Sequence, residues 1–249
     1  MAGTDPAAWA KEGERIDDLQ LSGLKILQDP KRFCFGMDAV LLSGFVRCEK
    51  GQLLDLGTGT GILPLLLSVK TGAEHLTGLE IQKESADMAE RSVRMNGLED
   101  RITIRTGDLK EAGVYFPPAS FDVVTCNPPY IADLHGLKNP SDAKAIARHE
   151  VCCTLQDVAD AAAKMLKVGG KLFLVYLPER LPELMIRLHE TGLEPKRLRI
   201  VYPTKEQKPS MILLEAARGG KPGLITEPPL IVCDASGVYS EELRRDFGY

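Results

Sequence analysis

Short apolar runs alternate with longer amphipathic stretches along most of the chain after residue 51. An apolar run of about four to eight residues between turns predicts a buried strand, and apolar positions three or four apart predict a helix. The predicted strands are residues 53–56, 76–81, 102–104, 121–126, 171–177, 198–202 and 210–215. The predicted helices are residues 62–69, 83–96, 155–166 and 181–190. Glycines at 97, 169–170 and 192 are typical of helix ends.

Periodic apolar positions also occur before this alternation begins. Residues 24–27 alternate in part and predict a short strand. Asp38 stands directly before an apolar run at 39–46, which is typical of a helix start. Residues 1–13 show no periodicity, so we expect them to form a loose leader.

Alternating strands and helices predict an α/β fold of the Rossmann-like kind, a mostly parallel sheet with helices on both faces. Right-handed crossovers in such a sheet place ligands at the carboxyl ends of the strands, where the strand order reverses. We expect one domain over residues 14–249, with an N-terminal extension at 14–50 and a C-terminal tail at 218–249.

A glycine-rich turn follows the predicted strand at 53–56, and glycines there let the backbone pass close to a ligand. Glu80, 21 positions after Gly59, ends the next strand, where a carboxylate binds ribose hydroxyls. The combination suits any adenosine cofactor. Asp55 would repel a pyrophosphate but not the cationic end of S-adenosylmethionine, so the turn favours the latter. The cofactor-binding residues predicted in this turn are Asp55, Gly57, Thr58, Gly59 and Gly61.

Two further segments are expected to touch the cofactor. Asp108 follows the third predicted strand, and its carboxylate can accept a hydrogen bond from the exocyclic amine of the cofactor's adenine. A solvated loop aspartate is the alternative. Ile81 and Leu109, which follow Glu80 and Asp108, complete this part of the predicted site.

The sequence Asn127-Pro128-Pro129-Tyr130 directly follows the fourth predicted strand. Two successive prolines fix an extended backbone, and their carbonyls remain free acceptors. Together with the Asn127 side-chain carbonyl, they suit a planar neutral amine such as that of adenine. Tyr130 offers a face on which a flipped base can stack. We therefore predict Asn127, Pro128 and Tyr130 as catalytic residues, with Asn127 also contacting the cofactor.

These motifs resemble those of class I methyltransferases, and more closely the bacterial tRNA (adenine-N6)-methyltransferases that modify valine tRNA beside the anticodon. The matching segments are residues 33–42, 55–61, 127–130, 147–150 and 228–232. The resemblance implies a seven-stranded sheet whose last strand is antiparallel. It also implies that Phe35, Gly36 and Asp38 lie over the methionine end of S-adenosylmethionine, and that the target is an adenine in tRNA.

Other substrates remain open at this stage. Protein glutamine methyltransferases share Asn-Pro-Pro-Tyr, but a Glu-Pro element follows it there, whereas this chain has Arg148-His149-Glu150-Val151. Guanine-N2 and adenine-N6 enzymes of ribosomal RNA carry similar motifs. A catalytically silent RNA-binding module is the non-enzyme alternative, and the intact Asn127 and Glu80 argue against it.

The net charge of −4 gives no overall attraction to nucleic acid, but residues 164–221 carry twelve Lys and Arg against six Glu, a local balance of +6. That segment forms either a phosphate-binding face or a set of solvated surfaces. The loop 131–148, with Lys138, Lys144 and Arg148, is expected to cap the target base. The six cysteines form no C-x-x-C pair, so we expect no metal site. No apolar run reaches the roughly 18–20 residues of a membrane span, and we expect a cytoplasmic protein.

Overall fold

A computed structural model of the chain describes residues 6–32, 34–128 and 153–247. Eleven strands occur in these ranges: β1 Arg15–Asp18, β2 Lys25–Gln28, β3 Gln52–Leu56, β4 His75–Glu80, β5 Ile102–Thr106, β6 Phe121–Cys126, β7 Leu166–Tyr176, β8 Leu193–Tyr202, β9 Met211–Arg218, β10 Ile225–Thr226 and β11 Leu230–Ile231. The α-helices are α1 Met37–Phe45, α2 Ile62–Lys70, α3 Lys83–Met95, α4 Ala112–Tyr115, α5 Leu155–Met165, α6 Leu181–Glu190 and α7 Glu241–Phe247.

The main sheet has the order β10-β8-β9-β7-β6-β3-β4-β5, with β11 also paired to β8. Seven of its strands have five residues or more, and β10 and β11 are two-residue additions at one edge. Strand β9 runs antiparallel to both β7 and β8, whereas the other pairs are parallel. This confirms the predicted Rossmann-like α/β class, a mostly parallel sheet whose seventh long strand is antiparallel.

Each face of the sheet is covered by its own set of helices, because neighbouring strand residues point to opposite faces. Leu53 packs with helices α1, α2 and α3, whereas Leu54 packs with α5 and α6. The same alternation separates Val123 from Val124 in β6. Burial on both faces explains why these strands read as continuous apolar runs.

Two helix ends show how local sequence sets the boundaries. Thr154 caps α5 in a reciprocal pair with Asp157, whose side chain accepts from the Thr154 backbone. Gly97 adopts φ +65° after α3, and the amide of Leu98 donates to the carbonyl of Val93 at 3.1 Å. That arrangement closes the helix where the sequence predicted its end.

One expectation about a helix boundary was wrong. Helix α5 ends at Met165, and β7 starts at once with Leu166, so Gly169 and Gly170 lie within the strand. Gly169 has φ +81° and lies beside a register shift between β6 and β7. This glycine therefore accommodates an irregularity in the sheet. The helix start expected at Asp38 is confirmed to within one residue, because α1 begins at Met37 and Asp38 lies in its first turn.

The N-terminal segment lies against α3. Strands β1 and β2 form a hairpin, and the backbone amide of Leu27 donates to Ser92 of α3 at 2.9 Å. Arg91 of α3 pairs with Glu14 at 2.7 Å and donates to the carbonyl of Trp9. From residue 6 onward, the predicted loose leader is therefore held against α3.

Candidate active site

A cavity of about 310 Å³ opens at the carboxyl ends of β3, β4 and β6. Strand β3 lies between β4 and β6, so the strand order reverses here, which is where open parallel sheets bind ligands. Twelve of the predicted site residues line it: Phe35, Asp38, Asp55, Gly57, Thr58, Gly59, Glu80, Ile81, Asp108, Leu109, Asn127 and Pro128.

The glycine turn between β3 and α2 forms one wall of the cavity. Gly57, Gly59 and Gly61 have φ values of +72°, +57° and +86°, a left-handed backbone that glycine adopts without strain. The amides of Gly57 and Thr58 donate to the carbonyl of Leu79 at 2.9 and 3.1 Å, which ties the turn to β4. These bonds hold the glycine turn against the end of β4, beside Glu80.

Glu80 is 5% exposed at the end of β4, and both of its carboxylate oxygens accept backbone hydrogen bonds. Oε2 accepts from the amide of Gly59 and Oε1 from the amide of Gln82, each at 2.8 Å. Charge-assisted bonds of this kind offset part of the cost of burying a carboxylate. A carboxylate offers about four acceptor positions, more than these two bonds use.

Asp55 is 1% exposed beneath the turn. Burial raises its pKa to about 7, although the hydroxyl of Thr125 donates to Oδ1 at 2.7 Å and opposes the shift. A carboxyl so placed can carry its charge when a cation binds in the cavity.

Asn127 and Asp38 both line the cavity and are joined by a hydrogen bond. The Asn127 Nδ2 donates to Asp38 Oδ2 at 2.8 Å, and the two residues are 89 positions apart in the chain. The Asn127 Oδ1 is buried and has no hydrogen-bond partner among the residues that the structure describes. A buried acceptor without a partner is costly in a folded protein and indicates a ligand site.

Asp108 lines the cavity but also has a local role. Its Oδ1 accepts from the amide of Lys110 at 2.9 Å, and its Oδ2 lies 3.4 Å from the Lys110 ammonium group. This capping interaction starts a short 3-10 helix at Leu109–Glu111. Asp108 is therefore more than a solvated loop residue, because it both caps this turn and borders the cavity.

Two predicted cofactor-binding glycines do not line the cavity. A Cβ on Gly61 would lie 3.1 Å from the Ala89 Cβ, so this glycine lets the turn pack on α3. A Cβ on Gly36 would lie 2.8 Å from Asp38 Oδ1, so this glycine makes room for the Asp38 carboxylate. Close packing accounts for the glycine at 36, and close packing together with φ +86° accounts for the glycine at 61.

Several cavity residues were not predicted, among them Arg32, Gln82, Ser85 and Cys153. Arg32 comes from the loop before α1, and its guanidinium pairs with Asp29 at 3.3 Å. No motif surrounds these residues, so only the folded chain identifies them. Tyr130 and the loop 131–148 lie outside the described residues.

Six of the twelve Lys and Arg in the basic segment 164–221 form ion pairs with carboxylates among the described residues. Arg197 lies 4.3 Å above the Phe45 ring and pairs with Glu215 and with Glu227 at 2.7 Å. Further pairs join Lys167 to Asp122, Lys171 to Glu215, Arg180 to Glu183, Arg187 to Glu190 and Arg199 to Glu242. Asp122, Glu227 and Glu242 come from outside the segment, so they offset part of its local balance of +6, and both arginines of β8 are among the paired residues.

Within the described ranges, no cluster of three or more His, Cys, Asp or Glu side chains is arranged to hold a metal ion. No helix in the same ranges is both long and apolar enough to cross a membrane.

The strand order, the glycine turn with Glu80, and Asn127-Pro128 after β6 define an S-adenosylmethionine-dependent methyltransferase. The chain belongs to the methyltransferase small domain family, whose model matches residues 35–186. It is 31% identical to a tRNA1(Val) (adenine(37)-N6)-methyltransferase of Tolumonas auensis over 86% of this chain and 88% of the relative. It is also 31% identical to one of Parabacteroides distasonis, over 72% of this chain and 75% of the relative.

Solved structures agree on the fold. A predicted O-methyltransferase from Agrobacterium tumefaciens superposes with a TM-score of 0.68 at 23% identity, covering 85% of this chain and 96% of its own. Pyrococcus horikoshii TYW2, solved with MeSAdo, superposes with a TM-score of 0.57 at 14% identity over 85% of this chain and 74% of its own. At these identities the likeness concerns the fold.

Proposed function

We propose that this protein transfers a methyl group from S-adenosylmethionine to the exocyclic N6 amine of an adenine in tRNA. The target that we propose is the adenine following the anticodon of valine tRNA. Two relatives, each 31% identical over most of this chain, carry the name of that activity. A tRNA substrate also favours a cytoplasmic location.

The residues present fit the cofactor. Two buried carboxylates, Glu80 and Asp55, lie in an otherwise mostly apolar cavity, where hydroxyl donors and a cationic group can pair with them. Glu80 would accept from the ribose hydroxyls, Asp55 would face the cationic end, and Ile81, Asp108 and Leu109 would surround the adenine. The bound cofactor supplies an electrophilic methyl group attached to a sulfonium.

The remaining chemistry belongs to Asn127 and Pro128. An adenine amine is a poor nucleophile because its lone pair is delocalised into the ring. Hydrogen bonds from its two N–H groups to the Asn127 Oδ1 and to a proline carbonyl favour a localised lone pair. The same acceptors stabilise the positive charge that develops on nitrogen during transfer. The amine proton is acidic after transfer, so a strong general base is unnecessary.

The observation that carries this proposal is the Asn127 Oδ1, buried at the cavity and without a partner among the described residues. An orphan acceptor suits an N–H donor and does not suit a carboxylate or a phosphate. Tyr130, outside the described residues, is proposed to stack on the base once the base leaves its stack in the RNA. The free-energy cost of unstacking is low in an anticodon loop, because the bases there are not paired.

The test is mass spectrometry of nucleosides from purified tRNA of a deletion strain. We expect N6-methyladenine to disappear from valine tRNA, to return with the wild-type gene, and to stay absent with Asn127→Ala. Purified enzyme should transfer tritium from labelled S-adenosylmethionine to the same tRNA, with binding that weakens as salt rises. Unchanged N6-methyladenine in tRNA, together with label in a protein or ribosomal RNA fraction, would show that the substrate is different.

A further inference from the structure

The hydrogen bond between Asn127 and Asp38 joins two separate sequence motifs, residues 33–42 and residues 127–130. Asp38 lies in the first turn of α1, and Asn127 directly follows β6. Their side chains meet at 2.8 Å between Nδ2 and Oδ2. An ordinary helix-start aspartate would bond its own backbone, but no side chain caps α1. The carboxylate is directed to Asn127 instead.

The local backbone leaves room for this carboxylate. A side chain at position 36 would place its Cβ 2.8 Å from Asp38 Oδ1, closer than real Cβ contacts allow. Gly36 has φ −114°, which any residue can adopt, so the glycine is required by space and not by backbone conformation.

The chemistry of the pair admits one orientation of the Asn127 amide. An ionised carboxylate only accepts hydrogen bonds, whereas a carboxamide has one end that donates and one that accepts. The amide must therefore turn its NH₂ to Asp38, and its oxygen then faces away from Asp38. The rotated amide would set two acceptors against each other and present N–H groups to the target amine, which donates as well.

We infer that Asp38 is a positioning residue, which fixes the Asn127 amide so that its oxygen accepts from the target amine. The inference rests on the proposed function, since it assigns Asn127 to the amine. It replaces the expectation that Asp38 binds the methionine end of the cofactor. Asp38 thus acts on turnover through Asn127 and contributes little to cofactor affinity.

The kinetic test separates these two roles. We expect Asp38→Ala to lower kcat about 10²-fold, because a misplaced reacting group costs that much, and to change the Kd of S-adenosylhomocysteine by less than about threefold. Asp38→Asn keeps the side-chain volume if the alanine variant folds poorly. Its amide can donate as well as accept, so kcat should fall about tenfold, the cost of roughly one neutral hydrogen bond. Asp100→Asn, an exposed aspartate, is the matched control.

A double-mutant cycle gives the sharper measurement. Once Asn127 is alanine, nothing remains for Asp38 to orient, so Asp38→Ala should cost less than about twofold more in that background. A full additional loss would overturn the inference. So would a tenfold weaker affinity for S-adenosylhomocysteine with normal kcat at saturating cofactor, which would make Asp38 a cofactor ligand.

A measurement without substrate keeps this test independent of the tRNA proposal. In ¹⁵N-labelled protein, the Asn127 side-chain NH₂, identified by its loss in Asn127→Ala, should exchange slowly and should exchange faster in Asp38→Asn. Equal exchange in both proteins would contradict the inference even if tRNA is methylated. Slow exchange that depends on Asp38 would support it even if tRNA proves not to be the substrate.

Discussion

Glu80 accepts a hydrogen bond from the backbone amide of Gly59 at 2.8 Å, which links the end of β4 to the centre of the glycine turn after β3. The 21-residue spacing that marks an adenosine site in the sequence is therefore also a direct contact in the fold. The carboxylate proposed to hold the ribose also holds the loop that surrounds it. Loss of Glu80 should affect both.

Replacement of Glu80 tests this contact. Glu80→Gln keeps the volume but removes the charge and one of the acceptors, so we expect affinity for S-adenosylhomocysteine to fall about tenfold or more, in line with roughly 1.5–3 kcal/mol for hydrogen bonds to a charged group. Titration calorimetry measures it. Glu99→Gln, an exposed glutamate, is the control. Full affinity in a folded Glu80→Gln protein would exclude Glu80 from the cofactor site.

Asp55 should make stability depend on pH in a defined window. Its pKa is 3.8 when unfolded and about 7 when folded, so between these values the native state binds more protons than the unfolded chain. The contribution is fully present below pH 4, falls as pH rises, and is lost above about pH 7, by a few kcal/mol in all.

Asp55→Asn removes this titration and keeps an acceptor for Thr125. Urea unfolding at several pH values should show that the wild type loses stability relative to Asp55→Asn as pH rises from 4 to 7, with a constant difference at higher pH. Other carboxylates contribute equally to both proteins. A difference that stays flat across the whole range would mean that Asp55 does not titrate there.

Asn127→Ala should separate binding from chemistry. Its amide oxygen is assigned to the target amine, so affinity for S-adenosylhomocysteine should stay within a few-fold while kcat falls about 10²–10³-fold, the usual effect of losing one transition-state hydrogen-bond partner. Single-turnover transfer from labelled cofactor gives the rate. Near-normal turnover would reduce Asn127 to a residue of the turn after β6.

Arg197 is predicted to stabilise the fold and not to bind RNA. Its side chain is 17% exposed and lies between Glu215, Glu227 and the Phe45 ring. Arg197→Ala leaves the buried Glu215 with one cationic partner fewer, so we expect a loss of about 3 kcal/mol or more in unfolding free energy. Arg187→Ala breaks an exposed pair with Glu190 and should cost about 1 kcal/mol or less. Equal effects of the two variants in urea would refute this assignment.

Much of the fold was predictable because a sheet buried on both faces leaves continuous apolar runs, such as residues 53–56 and 121–126. The parts that were not predictable depend on contacts between distant segments. Charge counting over residues 164–221 left open a phosphate-binding face or a set of solvated surfaces, but it could not include the pairing partners Glu227 and Glu242 from the tail and Asp122 from β6. A count along the chain cannot include partners that folding brings from elsewhere.

The candidate site divides in the same way. Glycine spacing located Glu80, and the Asn-Pro sequence located Asn127, since each motif is local and its chemistry is carried by few residues. The proposed role of Asp38 could be inferred only from the folded structure, because its hydrogen-bond partner Asn127 lies 89 positions away in the chain. Gly36 was assigned to the cofactor by resemblance and Gly61 by the glycine turn, whereas the close approach of Asp38 to Gly36 and of Ala89 to Gly61 is visible only in the fold.

The two shortest strands have a consequence for solubility. A long outer strand exposes backbone groups on which another chain can add a strand, the common origin of sheet aggregation. Here the short strands Ile225–Thr226 and Leu230–Ile231 pair with the outer side of β8. The side chain of Leu230 in the second of them is fully buried. The tail therefore covers the outer edge of β8. We expect a chain cut before residue 225 to precipitate at concentrations where the whole chain stays in solution.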